Sequence, residues 1–406
     1  MNDLSLTPVR TQSWLVPLAA LIALTVLPHT SAGEVSVSTV PASLAESLQL
    51  RPFYRKLVSA QGFPVLASER VADFALLEAA YLIDQMLAGR DDIRAALSKN
   101  RVRFAVMAHD EFTTLVPEHS DLQPAKYWDK RARGLGATPR RPAVSCGEEN
   151  LLGYQGDPYA TENILVHEFA HAIHEMGLSA VDPTFDPRLK KSYEQALAAG
   201  LWKGAYAATS RNEYWAEGVQ SWFDTNREND PQHNHVNTRA ELKAYDPALA
   251  KLIAEVFGDR PWRYRKPADR PAAEKTHLKG FDLASVPKFS WPPELLEWNK
   301  QYLAKTPPDE ADRVALTLLK PDAQAVRASP ESTRDTSILF LNRSAKGVSL
   351  YWLDSKGEQQ FYAKVAAGQT HTQQTFSGHR WLVTDEEGQP LGVIVADDEP
   401  SKAVIE

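Results

Sequence analysis

Residues 161–177 read TENILVHEFAHAIHEMG, and few local structures fit that order of residues. Apolar Ile164, Leu165, Val166, Phe169, Ala170 and Ile173 recur at helical spacing, Glu162 sits near the positive N-terminal end, and Gly177 supplies a stop. On that helix His167 and His171 are four residues apart, so they lie one turn apart on one face and can share a metal ion. Glu168, beside them, is placed to act as a base on a metal-bound water. A chance H-E-x-x-H somewhere in a chain of this composition has a probability of roughly 0.02.

A tetrahedral catalytic site takes three protein ligands and leaves one position for water. Cys146 is the single cysteine, which excludes a disulfide framework and a Cys-based zinc knuckle, so His and carboxylates must hold the ion. A histidine ten residues after His171 would fall on Val181. The next candidates lie in RNEYWAEGVQSWFD at 211–224, where Glu213 and Glu217 are again four apart on an apparent helix. One can bind the ion while the other braces a ligand histidine from behind. The aromatic flanks Tyr214, Trp215, Trp222 and Phe223 argue against a solvated face. His233 and His235 are rivals, but their polar surroundings, NDPQHNHVN, predict exposure; His174 shares the first helix face and suits a packed role or one behind the ligands. Cys146 reads either as an inert core thiol or as a thiol that caps the ion.

Lys+Arg 45 against Asp+Glu 52 gives a net charge of −7 with no basic run, which disfavours nucleic acid as a partner. A hydrophobic fraction of 43% with ten Trp disfavours disorder, and 406 residues predict two or three domains. Residues 1–32 have the layout of a secretory signal peptide: Arg10, an apolar run over 14–27, and small residues Thr30-Ser31-Ala32 for cleavage. The run is shorter than the ~20 residues a membrane-spanning helix needs, so a retained anchor is the lesser reading. The expected location is secreted or periplasmic, with no stable membrane span once the signal is removed.

Residues 33–304 read as mainly helical. The spacing predicts a helix over 72–87 ending before Gly89, a strand over 101–108, and a helix over 240–256 with Pro247 as a break or a first-turn residue. Residues 305–335, rich in Pro, Asp and Ala, suit a linker. Over 336–400 the short runs SILFLN, VSLYWL, FYAKV, HTQQTF, RWLVT and LGVIV alternate with turn residues, the pattern of a small all-β sandwich.

HEFAH followed about forty residues later by EYWAE resembles the gluzincin-type zinc peptidases related to anthrax lethal factor and the secreted Pro-Pro endopeptidases. The resemblance covers roughly residues 60–265, with only the 167–217 motifs specific. It implies a zincin-like domain in which Glu213 is the third ligand, Glu217 lies behind the ligands, and Tyr206, seven residues upstream of Glu213, stabilises the oxyanion. The run ILFLNRSAKGVSLYWLDSKGEQQFYAKVAAGQTHTQQTFSGHRWLVTD resembles the β domain of the von Hippel–Lindau tumour suppressor. That family grips 4-hydroxyproline in a pocket whose positions fall on Trp352, Tyr362, Thr375, His379 and Trp381, with Thr375 where the family has Ser. Aromatic walls suit a flat pyrrolidine ring, and Thr375 and His379 can hydrogen-bond its hydroxyl.

The combined expectation is an α+β multidomain chain: a mainly helical zincin-like metallopeptidase domain followed by a small β sandwich. Its expected function is a secreted endopeptidase using one zinc ion per chain, acting on proline- or hydroxyproline-rich protein recruited by the β module. The alternative is a non-catalytic binding protein or adhesin with a structural zinc site. A zinc hydrolase acting on something other than peptides is the third reading.

Overall fold

A six-stranded sheet organises the N-terminal part of the chain in the computed structural model, which describes residues 35–322 and 324–406. The expected signal segment 1–32 lies outside the described residues. The strands are β1 (Ser38–Thr39), β2 (Lys56–Ala60), β3 (Phe63–Ala67), β4 (Arg103–Met107), β5 (Gly134–Leu135) and β6 (Ala143–Gly147), in the order β1-β2-β3-β4-β6-β5. β3, β4 and β6 run parallel, and β5 closes one edge antiparallel to β6.

Mixed helix and sheet thus replaces the expectation of a mainly helical region over 33–304. The reason lies in β3 and β6, whose residues are all buried, so they show no apolar and polar alternation against solvent, while β4 falls within the strand expected over 101–108. In β4 the two faces enter different cores: Phe104 and Val106 join the main core, while Ala105 and Met107 pack with Tyr54 and Val116 in a smaller one. Burial of Phe104 and Val106 is worth roughly 1.5–3 kcal/mol each.

Helix Asp73–Met86 covers one face of the sheet, close to the expected 72–87. Pro247 is the first residue of helix Pro247–Phe257, with Asp246 as its cap. Gly177 is not a stop. After helix Ile164–Ala172 the chain continues as a π-helical stretch, Ile173–Leu178, and then Ser179–Val181. A Cβ on Gly177 would sit 2.8 Å from Ile93 Cγ2, so the glycine permits close packing on helix Asp91–Lys99. Asn100 donates to the Met176 carbonyl at 2.6 Å where regular helix bonding is lost.

The C-terminal sandwich contains all six expected runs as β8 (Asp335–Asn342), β9 (Val348–Leu353), β10 (Gln359–Val365), β11 (Thr370–Phe376), β12 (Arg380–Thr384) and β13 (Pro390–Val395). Two more strands lie outside the expected 336–400: β7 (Val314–Leu316) and β14 (Ser401–Ile405). The sheets are β10-β9-β12-β13 and β11-β8-β14-β7, with β14 parallel to both neighbours. Residues 305–335 are therefore not a free tether. They supply helix Pro308–Ala311 and β7, and Leu316 and Leu318 pack on the sandwich core.

Residues 35–406 form one compact unit. The sandwich docks through charged groups: Asp397, fully buried, pairs with Arg141 at 3.0 Å, and Arg334 pairs with Glu175 at 2.6 Å. Arg211 meets Asp335 at 3.2 Å, and the Arg140 backbone N–H donates to Asp398 at 2.9 Å. No helix among the described residues is long and apolar enough to cross a membrane.

Candidate functional site

Two helices bring the candidate ligands together. Asn163 caps helix Ile164–Ala172 by accepting from the Val166 N–H at 3.0 Å. Ser210 caps helix Arg211–Trp222 by accepting from the Glu213 N–H at 3.1 Å. Glu213 is the residue that would complete a capping box by reaching back to Ser210. Its carboxylate turns instead to the neighbouring helix, 3.0 Å from His167 Nε2 and 3.4 Å from His171 Nε2. The two imidazole Nε2 atoms are 3.2 Å apart. Trp215 Nε1 donates to the Ala170 carbonyl at 2.9 Å and locks the helices together. Among the described residues, His167, His171 and Glu213 are the one group of three whose ligand atoms converge closely enough to hold a metal ion.

Charge in this cluster is strongly coupled. Burial opposes protonation of His167, but the Glu213 carboxylate outweighs it and holds the imidazole well above its ordinary value. Burial likewise opposes charge on Glu213, and the two histidines hold its carboxyl well below its ordinary value. Burial raises Glu168, with His167 and His171 pulling the other way. The Tyr206 hydroxyl is pushed well up by the Glu213 charge and by burial. Tyr206 stands in a short 3-10 turn anchored by its N–H on the Gln232 carbonyl at 2.7 Å, and its ring lies 6.4 Å from that of His167.

Behind the ligands, the residue bonded to His167 is Gln220, which the sequence reading did not identify. Its Oε1 lies 2.8 Å from His167 Nδ1, and its Nε2 donates to Glu162 at 3.0 Å, which fixes the amide orientation. Gln220 lies seven residues after Glu213 on one helical face, the signal that points to it. Glu217 approaches the same Nδ1 at 3.6 Å, beyond hydrogen-bond length, and accepts from Asn226 at 3.0 Å. The prediction of an exposed His233 is corrected. It is buried, held between Asp230 at 2.8 Å and Glu217 at 3.4 Å. His235 is exposed, and His174 is buried against Asp186 at 3.0 Å. Cys146 is buried in β6, where its thiol donates to the Gly147 carbonyl and burial pushes it up, as suits a core cysteine.

A cleft of about 370 Å³ opens beside the cluster, lined by His167, Glu168, Tyr206, Arg131, Gly134 and Arg227 among others. Edge strand β5 forms one wall. A Cβ on Gly134 would sit 2.4 Å from Ile164 Cγ2, and one on Gly136 would sit 2.9 Å from His171 Cβ. The two glycines therefore let this strand lie directly against the histidine helix.

In the sandwich, the five expected pocket residues also converge. Trp352 and Trp381 are paired neighbours on β9 and β12. Tyr362 is the extra residue of a β-bulge between Phe361 and Ala363, and its ring meets that of Trp381 edge-on at 4.9 Å. Trp381 Nε1 donates to Thr375 Oγ1 at 3.0 Å, and Thr375 Oγ1 lies 3.4 Å from His379 Nδ1. His379 stacks on Trp352 at 5.2 Å, and burial lowers its pKa. Trp381 also belongs to the sandwich core, while Tyr362 is 48% exposed at the rim.

Residues 327–399 match the VHL beta domain family, a protein-binding domain. No curated protein matches the chain.

Proposed function

We propose that the protein is a secreted zinc-dependent endopeptidase with a zincin-like N-terminal domain. The observation that carries this reading is the convergence of His167, His171 and Glu213 with Glu168 and Tyr206 on one cleft. Ligand atoms about 2.1 Å from one zinc ion at tetrahedral angles lie about 3.4 Å apart, near the 3.0–3.4 Å found here. When bound, zinc supplies Lewis acidity toward the scissile carbonyl and its attacking water. Glu168 takes the water's proton and passes it to the leaving amine, and the Tyr206 hydroxyl donates to the developing oxyanion. β5 is an edge strand beside the cleft, the kind of place where an extended peptide can add as a further strand.

The β module recruits the substrate. Its aromatic cage, with the His379 imidazole and the Thr375 hydroxyl at its polar side, suits a prolyl or 4-hydroxyprolyl residue in a protein chain. That same cage favours the second reading, a binding protein or adhesin with structural zinc. Glu168 and Tyr206 argue for the enzyme, since a structural site uses neither.

The test is cleavage of a peptide library containing proline and hydroxyproline by purified mature protein beside Glu168→Ala. Cuts made by the wild type alone support the peptidase. No cuts from zinc-loaded protein that still binds these peptides favour the binding protein.

A further inference from the structure

The docked sandwich holds its pocket at the same end as its seam with the ligand-bearing helices. The Gly378 N–H donates to the Ala396 carbonyl at 3.0 Å, and the Ala396 N–H donates back to His379 at 2.9 Å. The next two residues, Asp397 and Asp398, are those that grip Arg141 and Arg140. The Ser377 N–H donates to the Arg334 carbonyl at 2.9 Å, and its hydroxyl donates to Asp398 at 2.5 Å. Thr375 pairs across the sheet with Thr336, next to Asp335, which meets Arg211. Each polar pocket residue is thus only a few residues, or one strand step, from a group that grips the N-terminal domain.

On the other side of the seam, Glu175 lies one helical turn beyond His171. One of its oxygens takes Arg334 at 2.6 Å, and the other takes Asn212 at 2.6 Å, the residue next to Glu213. A single carboxylate therefore joins the pocket's strand system to both helices that carry the candidate ligands. Among these pairs Asp397–Arg141 is buried, with Asp397 1% exposed and Arg141 4%, and Arg334–Glu175 is mostly covered. Buried ion pairs hold one geometry, whereas a flexible linker of the length expected at 305–335 would sweep the pocket through a wide volume.

We infer that the sandwich and the cleft act as a ruler, so that the substrate is cut at a fixed number of residues from the prolyl residue held in the pocket. This rests on the peptidase reading and adds the source of its site selection.

The experiment uses zinc-loaded mature full-length protein and a set of peptides of uniform Ala-Gly-Ser repeat. Each contains one 4-hydroxyproline moved stepwise along the chain, with a matched proline series, and the products are read by mass spectrometry. The expected result is a cut that moves in step with the hydroxyproline or proline at constant offset, and at least a tenfold loss in kcat/KM when the peptide ends short of that offset. Arg334→Ala should spread the cuts over several offsets, and His379→Ala should leave slow cleavage with no register. Cuts that ignore the position of the imino acid overturn the ruler while leaving the peptidase intact. Absence of any cut by the wild type overturns both.

Discussion

Gln220 holds His167 from behind: its amide oxygen lies 2.8 Å from the imidazole Nδ1 while its amide nitrogen is anchored on Glu162. That bond makes Nδ1 the donor to Gln220 and turns Nε2 toward His171 and Glu213, the atom that would bind the ion. Replacing Gln220 with Ala frees the ring to rotate. Zinc affinity, measured by chelator competition, is expected to fall roughly 10- to 100-fold, the usual cost of losing such a partner. Equal affinities in wild type and Gln220→Ala would refute the role.

The close approach of β5 to the histidine helix makes Gly136 intolerant of a side chain. An alanine Cβ there would lie 2.9 Å from His171 Cβ, an atom that no rotamer change can move aside. Gly136→Ala is expected to cost about 1–3 kcal/mol of stability and to weaken zinc binding together. Gly347→Ala is the contrast: its nearest neighbour is the end of the Glu386 side chain at 2.7 Å, which can swing away. Denaturant melts of the two variants should separate clearly.

Local patterns in the sequence carried the parts of this structure that are themselves local. His167 and His171 could be paired because four residues on a helix make one turn, and the six runs of the sandwich are short and set apart by turn residues. β3 and β6 were hidden because both faces are covered, whereas β4 falls within the strand expected over 101–108. β14 was hidden because its parallel partners β7 and β8 lie far away in sequence. Burial of His233 depends on Asp230 and Glu217 folding over it, which its polar neighbours in the sequence disguise. Gln220 carries no charge and no motif, so only its place on the Glu213 face pointed to it.

The seam between the sandwich and the N-terminal domain is expected to melt as part of one unit. Asp397 is fully buried between Arg141 at 3.0 Å and Arg140 at 3.2 Å, and Arg141 keeps only Asp121 if Asp397 is lost. Breaking a buried pair leaves a charge without compensation and costs about 3 kcal/mol. Asp397→Ala should therefore lower Tm and split a single calorimetric transition into two, with the sandwich separating from the rest. An unchanged single transition would show that the seam contributes little.

His119 couples the stability of the cleft wall to pH. It is fully buried, its Nε2 lies 3.1 Å from Ser145 Oγ, and that same hydroxyl accepts from the Leu135 N–H of β5 at 3.1 Å. Burial, with Arg141 and Arg103 nearby, lowers its pKa from 6.5 to about 4. Between these values the unfolded chain binds a proton that the folded chain refuses. Stability is thus fully present above pH 6.5 and is lost as pH falls toward 4, by up to about 3 kcal/mol. Asp157 works in the opposite sense, since burial raises it to about 6 and its protonation favours the folded state on acidification. The His119 contribution is therefore read as a difference. Urea melts of wild type and His119→Phe at pH 7.5 and pH 4.5 should show the wild type losing more stability on acidification than the variant. Equal losses in the two proteins would mean that His119 does not titrate as its burial requires.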